Sequence, residues 1–136
     1  MKEFARRLER GDDLKLTIER ICNENSFDTA IVLSAVGSLE KAHLRMAGAE
    51  NEIDVKEEME IVSLVGTVSK GQAHLHISIS DEIGNVFGGH LREGTLVNTT
   101  CELVLGILED YSSVRTYDEK TGYKEINFRK EEHIYD

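Results

Sequence analysis

The chain contains no proline among its 136 residues. That excludes proline-rich linkers and PxxP docking segments. Aromatic residues are scarce, at 6 %, so the core must be built mainly from aliphatic side chains. Cysteine occurs twice, at Cys22 and Cys101, with no C-x-x-C pair. This usage fits small buried thiols in a reducing cytoplasm. Basic clusters are thin. The densest is Arg6, Arg7 and Arg10, interleaved with Glu9 and followed by Asp12 and Asp13, in a chain of net charge −10. Nucleic-acid affinity comes largely from neutralising phosphates, so this balance disfavours DNA, and it disfavours anionic membranes equally. The longest apolar run, LVLGIL, is far too short to span a bilayer. The opening MKEFARRLERGDD lacks the apolar stretch of a secretory leader. A cytoplasmic protein is expected. No Gly/Ser-rich stretch or internal repeat divides the chain, so residues 1–136 read as one domain, long enough to bury a core without staples.

What the chain does have is short apolar segments with clear periodicity. Residues 2–9 read weakly as a strand. Gly11-Asp12-Asp13 reads as a helix start, because an Asp side chain can cap free N–H groups and suits the positive end of the dipole. Leu14, Ile18, Ile21 and Cys22 then recur at helical spacing, predicting an amphipathic helix over about 13–25. Residues 29–37 are mostly apolar and β-branched, as expected of a strand buried on both faces. A turn is expected at 38–41 and a short return strand at 42–46. Strands follow at 59–68, 73–80, 85–91 and 96–108, with a turn at Lys70-Gly71. A C-terminal hairpin at about 113–128 turns at Gly122. One main helix packed on seven or eight mostly antiparallel strands makes an α+β domain.

The stretch HLHISISDEIGNVFGGH, His74 to His90, carries three of the five histidines. In a strand, alternate side chains point to opposite faces. Ala73, Leu75, Ile77 and Ile79 therefore share the core face, and His74, His76, Ser78 and Ser80 share the polar one. Gly84 suits the left-handed position closing a three-residue loop, Glu82-Ile83-Gly84. Asp81 then pairs with Asn85, Ser78 with Gly88 and His76 with His90. Three imidazoles converge on one patch. An H-x-H alone on a polar strand face is ordinarily just a solvated face; the third histidine in register is what favours a metal. Three neutral imidazoles suit zinc, with a fourth position left for water or another ligand. Gly88 and Gly89, lacking side chains, would let a ligand or a neighbouring backbone come close. A one-residue slip would undo the cluster.

Glu102 is an acidic residue in an otherwise buried-looking strand, sharing a face with Asn98 and Thr100. It is either a hydrogen-bonding carboxylate at an edge or interface, or a partner of an imidazole or a base beside metal-bound water. Asp81 is a second candidate base. His43 reads as a surface histidine and His133 as part of a charged tail. No dinucleotide-binding glycine fingerprint, Walker loop or nucleophile elbow is present.

LHISISDEIGNVFGGHL followed by GTLVNTTCELVLG resembles the PPC domain, the plant and prokaryote conserved domain. ERGDDL, AIVLSAVGSLEKAHLR and MEIVSLVGTVS agree with it in order, so the resemblance covers about 3–110. It implies an α+β domain with one main helix, a homotrimer, and a stand-alone prokaryotic member able to hold zinc through His74, His76 and His90, with Glu102 as the family-like acidic position. In plants, AT-hook motifs rather than this domain bind DNA; here no R-G-R-P core exists. The readings left open are an assembly or binding module for a small ligand or protein partner, a zinc-dependent hydrolase acting on a small polar substrate, and, least favoured, a DNA-binding protein.

Overall fold

The computed structural model describes residues 1–132. His133 lies outside them. Chain order runs β1 (Lys2–Leu8), α1 (Leu14–Glu24), β2 (Thr29–Arg45), β3 (Glu52–Val55), β4 (Met59–Ser69), β5 (Gln72–Ser80), β6 (Val86–Leu91), β7 (Leu96–Ile107), β8 (Tyr111–Asp118) and β9 (Tyr123–Lys130). The first seven strands form one sheet in the order β1-β7-β2-β4-β5-β6, with β3 alongside β2. Among the described residues, strands β8 and β9 pair only with each other. All the pairings are antiparallel. The α+β expectation, one helix on a mostly antiparallel sheet, is met.

The helix begins where the sequence places it. Asp13 caps it, its carboxylate accepting from Leu16 N at 3.0 Å while the other oxygen accepts from Gly94 N at 2.7 Å. Leu14, Ile18, Ile21 and Cys22 are buried to within 1 %, which seats α1 on the inner face of the sheet. Complete burial of each aliphatic side chain contributes about 1.5–3 kcal/mol. Glu19, on the same helix, pairs with Lys15 at 3.1 Å and accepts from Ala73 N at 2.9 Å. The helix thereby fixes the start of β5, one residue before the first histidine of the cluster.

Two sequence expectations fail around β2. No turn occurs at 38–41. The strand runs unbroken for 17 residues, because Ser-Leu-Glu-Lys contains nothing to stop it. It absorbs its length in register shifts against β7, between Val32 and Ser34 and around Leu39. Nor is the stretch 29–37 buried on both faces. Leu33 is 44 % exposed and Val36 59 % exposed, so one face of this strand is apolar without being covered by the chain itself. The far end of β2 pairs with β3, a strand absent from the sequence reading, and also with β6 through Leu44↔Leu91 and Arg45↔His90. That last pairing closes β2, β4, β5 and β6 into a ring around the aliphatic core. The C-terminal hairpin forms as expected. It is tied to the sheet at its root, where the buried Ser113 hydroxyl lies 2.6 Å from that of Thr29 and donates to that of Ser69 at 2.7 Å.

Candidate metal centre

Strand β5 alternates as its sequence demands: Leu75, Ile77 and Ile79 are buried, while His74 and His76 are exposed on the outer face. The loop to β6 takes the expected form. Gly84 adopts φ +87°. Asp81 N donates to Asn85 O at 3.0 Å, and the Asp81 carboxylate accepts from Ile83 N at 3.0 Å and Asn85 N at 2.9 Å. This clamp sets the register His76↔His90 and Ser78↔Gly88.

The three rings meet. Centroids of His74 and His76 are 5.2 Å apart, of His74 and His90 5.2 Å, and of His76 and His90 5.8 Å. One nitrogen from each lies within 4.8 Å of the others. Tetrahedral nitrogen ligands around zinc are separated by about 3.3 Å, which follows from bonds of about 2.0–2.1 Å. Small side-chain rotations close the difference, and the residues present fit a divalent ion.

The electrostatics agree with that fit. His90 is held well below the ordinary histidine range, at about 4, first by burial, then by the Arg45 guanidinium, then by the other two rings and Arg92. His74 is lowered as well, by partial desolvation first and by His76 and Arg115 next, with Glu125 pulling the other way. Both shifts favour the neutral form of these rings, which is the form that ligates a metal.

The other nominated residues fall elsewhere. Glu102 lies on β7, opposite Arg7 and Val36. Two strands, β2 and β4, separate it from β5, roughly 14 Å at the usual strand spacing. Within one chain it does not join the histidines. Asp81 is at the hairpin tip, five residues along from His76, about 17 Å away. Slight desolvation raises its carboxyl, but the N–H groups of Asn85, Ile83 and Gly84 outweigh this and hold it below the usual range. It is a turn clamp. Gly88 and Gly89 make room for backbone: a Cβ on Gly88 would overlap the Ile77 carbonyl oxygen, and one on Gly89 would sit 2.8 Å from the Arg45 carbonyl oxygen. They also line a cleft beside the cluster, about 750 Å³ in volume. Both cysteines are buried, and burial pushes each thiol up to about 11. His43 lies away from the cluster, its Nδ1 3.0 Å from Glu93 O.

Four residues near the cluster escaped the sequence reading: Arg45, whose Nη2 is 3.5 Å from His90 Nδ1; Tyr123, on the cleft wall; and Arg115 and Glu125, both felt electrostatically by His74. Arg45 lies in the strand expected at 42–46, but its place beside His90 comes from the pairing of β2 with β6, which no local pattern encodes. The other three come from the hairpin, whose placement depends on contacts no local pattern encodes.

Known proteins share this frame. A family model described as the Plants and Prokaryotes Conserved (PCC) domain matches residues 1–109. Bifunctional protein GlmU from Synechococcus sp. (strain JA-3-3Ab) is 38 % identical over 130 residues, covering 96 % of this chain and 21 % of that protein. The chain thus spans about a fifth of the length of the curated relatives it matches. A hypothetical protein from Salmonella enterica has 32 % identity and a TM-score of 0.91, covering 95 % of this chain and 94 % of that one. A metal-containing protein from Archaeoglobus fulgidus has 31 % identity and a TM-score of 0.80, covering 91 % of each chain.

Proposed function

This chain belongs to the Plants and Prokaryotes Conserved domain family, and on that footing we propose that it is a homotrimeric binding module that holds zinc at His74, His76 and His90. The observation that carries the metal reading is the convergence of three imidazole nitrogens within 4.8 Å on one outer face. The low proton affinity of His74 and His90 supports it, as does the likeness to a metal-containing archaeal protein. A bound zinc would supply a Lewis-acidic position to which a further ligand can attach.

Assembly is supported by apolar surface that the chain leaves uncovered. Leu33, Val36 and Val62 are 44–59 % exposed on β2 and β4, and Val114, Tyr117 and Phe128 are 45–65 % exposed on the hairpin. Contiguous apolar surface of this kind ordinarily meets a partner. The module reading also agrees with the Synechococcus relatives, where a similar segment is one part of a longer bifunctional protein.

A hydrolase is the weaker reading, because among the described residues no carboxylate oxygen joins the three histidine nitrogens at ligating distance, both candidate bases sit far from them, and Glu125, whose charge His74 feels, makes no hydrogen bond to an imidazole. Two measurements test the proposal. Metal analysis and zinc titration of untagged protein should give one ion per chain, lost in His76→Ala. Sedimentation equilibrium should give three chains per particle. A monomer at working concentration refutes the assembly, and weak, non-stoichiometric zinc binding refutes the metal site.

A further inference from the structure

Arg45 ends β2 directly opposite His90. Its guanidinium has five N–H donors, and among the described residues its one side-chain hydrogen-bonding contact is with the ring nitrogen of His90, at 3.5 Å. Among the described residues no carboxylate pairs with it, although the chain carries a net charge of −10. Arg92, by contrast, is neutralised by Glu52 at 3.0 Å. Arg115 adds a further positive charge beside His74, opposed by Glu125. Three neutral imidazoles leave the full charge of a divalent ion uncompensated. With Arg45 at its side, such an ion makes a strongly positive corner at the edge of the cleft.

That corner wants an anion, and the cleft says which kind. Arg45 and His90 line it together with the Ser63 and Ser78 residues. The remaining wall is largely apolar, including Met46, Ala47, Val65 and Tyr123. A bare inorganic anion would leave that wall wet. A molecule with one charged end and a short hydrocarbon body would satisfy both parts.

We propose that this cleft binds a small organic carboxylate, with one carboxylate oxygen at the open metal position, the other on the Arg45 guanidinium, and the hydrocarbon body against the Met46–Val65–Tyr123 wall. The inference rests on the metal reading above. It assigns Arg45 a role in ligand recognition, whereas the histidines hold the ion.

The test uses untagged full-length protein titrated with Co²⁺, whose visible absorption reports the coordination of the ion. Butyrate, inorganic phosphate and butyramide are then added separately. Butyrate should change the spectrum saturably. Phosphate should need at least about tenfold higher concentration, and butyramide should have no effect, because charge-assisted hydrogen bonds are the strong ones. Arg45→Gln should weaken butyrate by about tenfold or more, with Arg45→Lys intermediate because it keeps the charge and loses the fork. Co²⁺ affinity should change by less than about threefold in both, since neither removes a metal ligand. If Co²⁺ binds but butyrate gives no saturable change, or butyramide matches it, the inference falls and the metal site stands. Equal butyrate affinity in folded Arg45→Lys and Arg45→Gln relative to wild type also overturns it, as does tighter binding of phosphate. Failure of Co²⁺ to bind overturns both the metal site and the inference.

Discussion

Acidification of the metal-free protein should destabilise it through His90, by an amount that the site's geometry sets. In the unfolded chain His90 titrates near 6.5; in the folded protein it titrates near 4, because burial, Arg45 and two neighbouring rings oppose its charge. The depressed value means the unfolded state takes up the proton first. Stability is therefore unaffected above about pH 7, falls between about 6.5 and 4, and levels off below 4, where both states are protonated. At pH 5 the two-site arithmetic gives about 2 kcal/mol. His90 is only half-buried, and solvent screening reduces this to about 1 kcal/mol. Urea unfolding in the presence of EDTA, at pH 7 and pH 5, measures the loss directly. Every carboxylate contributes its own slope, so the decisive quantity is the difference between wild type and His90→Gln. The variant should lose about 1 kcal/mol less than wild type over that interval. Equal losses would refute the claim that His90 is held neutral by its surroundings.

Zinc at a hundredfold excess over its dissociation constant should stabilise the protein by about 2.7 kcal/mol, raising the melting temperature by roughly 10 °C; His76→Ala should abolish the shift in differential scanning calorimetry. Gly88→Ala should cost about 2–4 kcal/mol in urea unfolding, because its methyl group overlaps the Ile77 carbonyl, and should weaken zinc binding although Gly88 supplies no ligand. Cys22 and Cys101 should resist a thiol reagent at pH 8 in the native state and react on unfolding, since burial keeps both thiols protonated. Reaction of either in the folded protein at the unfolded rate would contradict their burial.

The histidine cluster was legible because every step toward it is local. Two-residue alternation sorts His74 and His76 onto one face, and a single glycine with positive φ brings His90 opposite. The helix was legible for the same reason, through its cap and its 3.6-residue period. The path of β2 was not. Its register shifts against β7 and its shared pairings with β3, β4 and β6 depend on neighbours up to 77 residues away, as in Ala30↔Ile107. Apolar content there suggested burial on two faces, whereas Leu33 and Val36 face outward. Glu102 illustrates the same limit. Periodicity puts it on one face with Asn98 and Thr100, but strand order decides its distance from the histidines, and strand order is a property of the whole chain.

The hydroxyl chain of Thr29, Ser113 and Ser69 has a consequence for what lies 10 residues beyond it. It clamps β8–β9 at the root, while the hydrogen bonds of the Gly122 turn at the other end are, among the described residues, all within the hairpin. The hairpin is a cantilever. A midspan prop exists where Arg115 leans on Thr67, 3.5 Å away, a residue that itself pairs with His74. Tyr123, at the far end, lines the cleft beside the histidines, whereas Ser113 sits at the clamped root. The histidine cluster and the wall of the cleft beside it therefore come from different parts of the chain: the cluster from residues 1–109, which the family match covers, and Tyr123 from a segment beyond it.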